Sequence, residues 1–207
     1  MTKTTLTSIP WTLQRTAAPS ALMTTQLVKD HIRETLSDAA NDTLIDTFAR
    51  AAEDALEGEL CRAFLTQTWV LRLDCFPAWE IRLPRPPLVS VTSISYLEAV
   101  NGAPTTLATD QYVVDTAPEP GRIYEAYGMS WPATRAIPNA VTITYVVGAA
   151  NAAAVPAALR IAVCLLAAEM YENRERGQAE VLSMWRENPT HERLIGKYRL
   201  PTEFIYR

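Results

Sequence analysis

The sequence predicts an α+β protein in which an antiparallel β-rich element is inserted into a helical core. Three observations support this fold class. Apolar residues recur with helical periodicity on both sides of residues 65–148, and within that stretch the period falls to two. Turn residues separate the alternating segments at short intervals, which favours antiparallel pairing. The 207 residues, 48% hydrophobic and 20% charged, have the composition of a folded protein.

The segment 155–176 is predicted to be the central helix, buried near 156–173. Pro156 suits the first turn of a helix, where its missing N–H costs no hydrogen bond. The eight residues of 161–168 are all apolar. A helix that is apolar all round must be covered on every side. Eight residues fall far short of the roughly 20 that cross a bilayer, so we expect a core helix and no membrane partner.

The N-terminal part is predicted to be an arm followed by two helices. Residues 1–23 are rich in Thr, Ser, Ala and Pro and are expected to be extended. This arm is either a flexible terminus or a segment that docks through Trp11 on a neighbouring subunit. The two helices fill 24–63. The apolar stripe of the second consists of Leu44, Ile45, Phe48, Ala51, Ala52, Ala55 and Leu56.

An acidic stripe is expected on the opposite face of the second helix. Its members are Asp42, Asp46, Glu53 and Glu57. Residues 24–64 hold nine acidic and four basic residues, so this segment accounts for the net charge of −4. Such a stripe is usually a solvated face. The negative charge argues against a sequence-independent grip on nucleic acid, which needs clustered Lys and Arg.

The β-rich insertion and the C-terminal region complete the predicted organisation. Strands are expected near 65–73, 80–83, 88–98, 111–115, 121–124 and 140–147, with the clearest alternation in the last. The Asn101-Gly102 pair favours a hairpin. Residues 177–207 are predicted to form a helical and extended tail ending in TEFIYR. The predicted domains are therefore the arm (1–23), a main domain (24–176) and this tail.

The sequence offers no pattern for catalysis, metal or cofactor. No cysteine lies within metal-ligand spacing of another cysteine or of either histidine, His31 or His191. Cys61, Cys75 and Cys164 are expected to be reduced, buried thiols. No glycine-rich phosphate loop or nucleophile elbow is present. We expect no enzyme activity; an enzyme or small-ligand binder would need convergent polar groups in a cavity.

Several long segments of the sequence resemble those of the tailed-bacteriophage head–tail connector (adaptor) family, which is also found in prophages and gene transfer agents. The resemblance covers roughly residues 25–176. The most specific of these segments are LPRPPLVSVTSI, the SWP at 130–132 and the MYENRE at 170–175. The arm and the TEFIYR end lie outside the matched part.

The resemblance implies a structural virion protein without a catalytic site or cofactor. Family members form a ring under the portal, extend the DNA channel and present a docking surface to a stopper or tail-completion protein. The implied partners are other copies in a twelve-fold ring, the portal, the stopper, and duplex DNA that passes without specific binding. The implied location is the virion head–tail junction, after assembly in the host cytoplasm.

The alternative is another oligomeric virion junction protein, a stopper or tail terminator. That alternative predicts a compact β-barrel and does not accommodate the apolar helix at 156–168. Genome position is a simple discriminator, because a connector gene should follow those of the portal, protease and major capsid protein.

Two hypotheses concern individual residues of the proposed ring. The acidic stripe of Asp42, Asp46, Glu53 and Glu57 would face the channel or its mouth, because like charge repels DNA phosphates. Charged and aromatic residues of the C-terminal end would contact the portal or a neighbouring subunit. These are Arg193, Lys197, Tyr198, Arg199, Phe204 and Tyr206. Deleting residues 200–207 should then weaken binding without unfolding the subunit.

Overall fold

The computed structural model describes residues 10–32, 41–100, 102–173 and 178–200. The chain divides into two compact units. The β unit contains the described residues of 10–19 and 66–148, and the helical unit contains those of 20–65 and 149–200. Helices and antiparallel strands thus occupy separate stretches, so the predicted α+β class is confirmed.

The strands of the β unit form two antiparallel sheets. The five-stranded sheet has the order β1-β2-β8-β4-β5 and the three-stranded sheet has the order β3-β7-β6. The strands are β1 (Trp11–Ala17), β2 (Gln67–Leu73), β3 (Glu80–Leu83), β4 (Leu88–Leu97), β5 (Pro104–Thr106), β6 (Tyr112–Asp115), β7 (Gly121–Glu125) and β8 (Val141–Val147).

The alternation predicted for the last strand is confirmed. Every second residue of β8 is fully buried, beginning with Val141 and Ile143, and the residues between them are half-buried. β8 lies centrally, with β2 on one side and β4 on the other. The predicted hairpin joins β4 to β5, where Gly102 has a φ of +62° that glycine adopts without strain. Asn101 lies outside the described residues.

The part of the arm from Trp11 to Ala17 is a sheet strand. This strand, β1, runs antiparallel to β2, with Trp11 opposite Leu73 and Leu13 opposite Leu71. Among the described strands it is the first of the five-stranded sheet, next to β2. Backbone hydrogen bonding to β2 therefore fixes this stretch, although its composition suggested only an extended arm.

The helical unit is built around the predicted central helix. Its helices are α1 (Thr25–Ile32), α2 (Asp42–Leu60), α3 (Ala157–Glu172), α4 (Gln178–Glu187) and α5 (Pro189–Ile195). α3 contacts each of the other four. Ala162, Val163, Leu166 and Ala167 of α3 are fully buried, as a helix apolar on all sides requires.

Six of the seven residues predicted for the apolar stripe of α2 lie in the core or pack against it, and the exception is Leu44. Leu44 was expected in the core but is about one third exposed, whereas Ala49 and Leu60 are fully buried. The fully or almost fully buried apolar residues of α2 are Ile45, Ala49, Ala52, Leu56 and Leu60. They recur every three or four residues, so they lie on one face.

Two glycine substitutions should change stability in opposite directions. A Cβ on Gly121 would lie 2.6 Å from Cβ of Leu88, so Gly121→Ala overpacks the β unit and should cost about 1–3 kcal/mol. A Cβ on Gly58 in α2 meets nothing within 4 Å. Gly58→Ala should therefore add about 0.5–1 kcal/mol, because alanine favours the helix. Urea denaturation measures both; a destabilised Gly58→Ala would contradict this packing.

Candidate assembly surfaces

The described residues were expected to lack a metal site, and they hold no cluster of metal-binding side chains. Among them no three His, Cys, Asp or Glu side chains converge as they would around a metal ion. None of the helices in this part of the chain is long and apolar enough to cross a membrane. Cys164 is buried, which raises the pKa of its thiol. The prediction of three buried thiols is wrong for Cys75, which is exposed, and Cys61 is only half-buried.

The acidic stripe predicted on α2 does not form one solvated face. Asp42 and Asp46 are half-buried, and Asp42 forms an ion pair with Lys29 of α1. Glu53 and Glu57 are 7% and 6% exposed. The expectation that all four carboxylates face outward is therefore wrong, because two of them point into the helical unit.

Glu53 and Glu57 are buried because each one satisfies backbone N–H groups that would otherwise lack an acceptor. The Glu53 Oε1 accepts hydrogen bonds from the N–H groups of Leu22 and Met23, at 2.9 and 3.1 Å. The Glu57 Oε1 accepts one from the Phe64 N–H at 2.6 Å. These carboxylates thus fasten the segments before α1 and after α2 to α2, and their role is structural.

Glu53 should make stability fall as pH rises. Burial raises the pKa of its carboxyl above the ordinary 4.5, and hydrogen bonds from Met23 and Leu22 and the charge of Arg50 only partly offset this. The folded state therefore holds the proton more tightly than the unfolded state. This stabilisation is complete below pH 4.5 and is lost as pH rises through the folded-state pKa.

Glu53→Gln tests this dependence. Since one oxygen accepts both hydrogen bonds, glutamine can keep them without titrating. We expect the wild type to lose stability relative to Glu53→Gln between pH 4.5 and neutrality, measured by urea denaturation. Glu53→Ala, the control, should be destabilised throughout. If the wild type instead gains stability relative to Glu53→Gln as pH rises over this range, the folded state favours the ionised form of Glu53.

Glu59 is the centre of a charged cluster that holds the C-terminal helices. Its carboxylate is only 12% exposed. Its Oε1 lies 3.0 Å from the His191 Nε2 and 2.7 Å from the Arg199 Nη2, and its Oε2 lies 3.8 Å from the Arg186 Nε. The cluster thus joins α4, α5 and the segment after α5 to the end of α2.

The predicted C-terminal contact residues differ in their surroundings. Arg193 is exposed on α5. Lys197 is exposed, with its ammonium 4.7 Å from the centre of the half-buried Tyr198 ring. Arg199 binds Glu59 and also Glu192, so its charge is already paired with carboxylates of the same chain. The remaining two, Phe204 and Tyr206, lie outside the described residues.

Exposed apolar side chains cluster at one end of the three-stranded sheet, where sequence analysis predicted no contact. Trp79 precedes β3 and is 85% exposed; Tyr127 and Met129 follow β7, and the first of these is fully exposed. Because Glu80 pairs with Tyr124, the start of β3 and the end of β7 lie at the same end. We call Trp79, Tyr127 and Met129 the aromatic tip.

Aromatic packing supports the loops that carry the aromatic tip. The rings of Phe76 and Trp131 stack with centroids 4.9 Å apart and planes 3° apart. Phe76 also meets Tyr96 of β4 edge-on at 5.9 Å. The backbone N–H of Trp131 donates to the Glu125 carboxylate at 2.7 Å. Exposed aromatic residues on a supported loop match the composition of interface cores.

The outer face of the three-stranded sheet carries a charge network rather than an apolar surface. Glu80 lies beside Arg82 and accepts hydrogen bonds from Arg122 and Tyr124, at 3.2 and 2.8 Å. Burial works against ionisation of Glu80, but these donors and positive charges outweigh it and lower the pKa of the carboxyl. Arg122 also reaches Asp115 at 3.5 Å. The network is compatible with a solvated face.

Comparison with known proteins gives matches among solved structures. No family model matches the chain, and no curated protein does. A chain from the neck of an empty gene transfer agent (GTA) particle, computed with C6 symmetry, superimposes with a TM-score of 0.75 at 26% identity, over 92% of this chain and 96% of that one.

Two further GTA structures give similar matches. A chain of the virion of a native GTA particle has a TM-score of 0.72 at 27% identity and covers 91% of this chain and 95% of that one. A chain from the neck of a native GTA particle, computed with C12 symmetry, has a TM-score of 0.67 at 27% identity, over 91% and 96%. These neighbours confirm the resemblance found in the sequence, because this chain has the fold of a GTA neck chain, consistent with the head–tail connector family.

Proposed function

We propose that the chain is a structural head–tail connector, an adaptor that forms a ring under the portal. The observation that carries the proposal is the overlap with a neck chain across 92% of this chain and 96% of the other. A shared module in an unrelated protein would match over only part of either chain. The end-to-end match supports a structural protein of the virion junction.

The symmetry of the neighbours supports a ring. Two of the matched chains come from necks computed with C6 and C12 symmetry. We propose twelve copies, a portal on one side and a stopper or tail-completion protein on the other. The candidate contacts are Trp11 of β1, the C-terminal residues already named, and the aromatic tip.

The ring would extend the DNA channel without gripping the duplex. The net charge of −4 disfavours phosphate binding, because binding requires clustered positive charge. Since Glu53 and Glu57 are buried, the repulsion does not come from the four-residue stripe. Of that stripe only Asp42 and Asp46 remain as candidates for the channel wall, and the Lys29 ammonium already pairs with the first.

A stopper or tail terminator is the alternative junction protein. That class was expected to be a compact β-barrel. The described strands instead form two open sheets, and α3 lies at the centre of a helical unit. These features favour the connector.

Native mass spectrometry tests the proposal. The protein is mixed with the portal protein of the same genome, and separately with a portal from an unrelated genome as the control. We expect a complex of one portal with a ring of this chain only in the first mixture. Free monomers beside an unmodified portal in both mixtures would contradict the connector role and favour the alternative.

A further inference from the structure

The central helix of the helical unit exposes one apolar face. Ala157, Ile161 and Leu165 recur every four residues of α3, so they lie on the same face of the helix. Ala157 is exposed, Ile161 is 50% exposed and Leu165 is half-buried. We call these three residues the α3 face. Contiguous exposed apolar residues, unlike single ones, mark surfaces that bind a partner.

Arg160 lies beside Ile161 and has no counter-charge in the part of the chain that the structure describes. It is half-buried, and its Nε is buried without a hydrogen-bond partner. It is also the one charged residue between positions 149 and 168. A guanidinium is weakly hydrated and stacks on aromatic rings. An aromatic side chain of a partner would therefore suit both Arg160 and the apolar residues beside it.

The aromatic tip has the complementary properties. Trp79 is 85% exposed, Tyr127 is fully exposed and Met129 is 50% exposed. The two loop segments that carry these side chains, 75–79 and 126–134, contain no charged residue. A strongly charged partner surface would find no counter-charge in these loops. An apolar face with a single arginine, in contrast, would be covered well by their aromatic rings.

We propose that the aromatic tip of one copy packs on the α3 face of the next copy in the ring. This proposal rests on the ring proposed above. In this contact the guanidinium of the next copy's Arg160 stacks on the Trp79 ring, because indole attracts cations more strongly than phenol does. Tyr127 and Met129 then cover Ile161 of that copy.

The occupant is a second copy because the two surfaces lie on the same chain and differ from one another. A contact between different surfaces of identical chains is heterologous, and repetition of such a contact closes a ring. The ring would remove both apolar surfaces of every copy from water at once. The matched chains from necks with C6 and C12 symmetry support this arrangement.

The size of the aromatic tip fits the centre of such a contact. A stable interface buries about 800 Å² on each partner, and one aromatic side chain supplies about 150–250 Å². The tip would thus provide about half of one side of the interface. Aromatic side chains near the centre of an interface commonly carry most of its binding free energy, so loss of Trp79 should have a large effect on assembly.

Photo-cross-linking tests which surface the aromatic tip contacts. Tyr127 is replaced by the photoreactive amino acid benzoylphenylalanine, and the full chain is mixed with the portal protein of the same genome and irradiated. We expect covalent multimers of this chain on a denaturing gel, with the cross-link in residues 153–165 when the bands are analysed by mass spectrometry. Val100, which is 90% exposed elsewhere in the β unit, carries the same label as the control and should give no link to 153–165.

Every other cross-linking pattern overturns the proposal. A link within one chain, a link to the portal alone, or equal capture of 153–165 from both labelled positions would each refute the contact, as would assembled rings without a link. Native mass spectrometry of the same samples measures portal binding. Rings on the portal whose aromatic tip links elsewhere refute this contact and leave the connector role standing, whereas no ring and no portal complex would refute both.

A double-mutant cycle tests the stacking of Arg160 on Trp79. Trp79→Ala removes the ring, and Arg160→Met removes the charge while it keeps an unbranched apolar side chain. Each should raise the concentration at which half of the portals carry a ring several-fold, and the double variant should be little worse than the worse single variant. Effects that multiply in the double variant would contradict the stacking.

Val113→Ala is the control for the cycle. Val113 is 53% exposed on β6 and belongs to neither surface, so its truncation should leave ring formation unchanged. Urea denaturation of all the variants separates a loss of assembly from a loss of folding. A loss of assembly in Val113→Ala as large as that in Trp79→Ala would show that the aromatic tip has no special role.

Discussion

Replacing Trp185 by alanine should lower the free energy of unfolding by about 3–5 kcal/mol. Trp185 lies on α4, is 2% exposed and packs in the core of the helical unit. Its ring meets that of His191 on α5 edge-on, with centroids 5.1 Å apart. The substitution would leave a cavity where these two short helices pack. Urea denaturation followed by circular dichroism measures the loss.

Trp79→Ala is the matched control for this large effect. Trp79 is 85% exposed in the aromatic tip, so its removal should change the free energy of unfolding by no more than about 0.5 kcal/mol. Equal losses in Trp79→Ala and Trp185→Ala would contradict the described burial. The pair also separates stability from assembly, because only the exposed tryptophan is available to a partner.

Glu59→Ala should cost about 2–3 kcal/mol and loosen the C-terminal segment. The substitution removes the carboxylate that the Arg199 guanidinium binds at 2.7 Å and that lies 3.0 Å from the His191 imidazole. Removing this carboxylate leaves the His191 imidazole, which is 2% exposed, without its polar neighbour, and it releases the C-terminal segment that Arg199 ties to α2. Hydrogen exchange of the amides in 189–200 measures the loosening, and urea denaturation measures the cost.

Glu192→Ala is the control for Glu59→Ala. Glu192 binds the same arginine, at 3.2 Å, but its side chain is 61% exposed. An exposed ion pair contributes less than about 1 kcal/mol, so hydrogen exchange in 189–200 should stay close to that of the wild type. If both variants behave alike, the cluster does not depend on the buried carboxylate.

The sequence predicted the elements whose side chains follow a single clear period. The alternation of Val141, Ile143, Tyr145 and Val147 requires one buried face in a strand, and all four are fully buried. The apolar run of α3 could only be accommodated inside a core, because no polar face is left to meet water. For these elements the local sequence pattern and the tertiary packing require the same residues to be buried.

The burial of Glu53 and Glu57 could not be predicted from helical periodicity. A charge on a helix is normally solvated, and the backbone N–H groups that bind these carboxylates lie outside the helix. The Leu22 N–H is 31 residues from Glu53, and only the folded chain brings the two together. The exposure of Leu44, which was predicted for the apolar stripe of α2, has the same origin, since packing against α3 selects the buried face.

The candidate site was predictable only in part. The charged C-terminal helices could be named from composition, whereas the aromatic tip depends on β3 and β7 pairing so that Trp79 and Tyr127 meet at one end. β1 was unexpected as a sheet strand because its Thr-rich surroundings resemble a loose arm. The alternation of the apolar Trp11 and Leu13 with the polar Thr12 and Gln14 was the available signal.

Electron microscopy of this protein mixed with the portal protein of the same genome distinguishes a connector from a protein of another role. We expect extra density with rotational symmetry stacked on the narrow end of the portal, into which copies of this chain fit. An unmodified portal beside free monomers would contradict the connector role. A free ring that does not bind the portal would contradict the proposal that the portal is its docking partner.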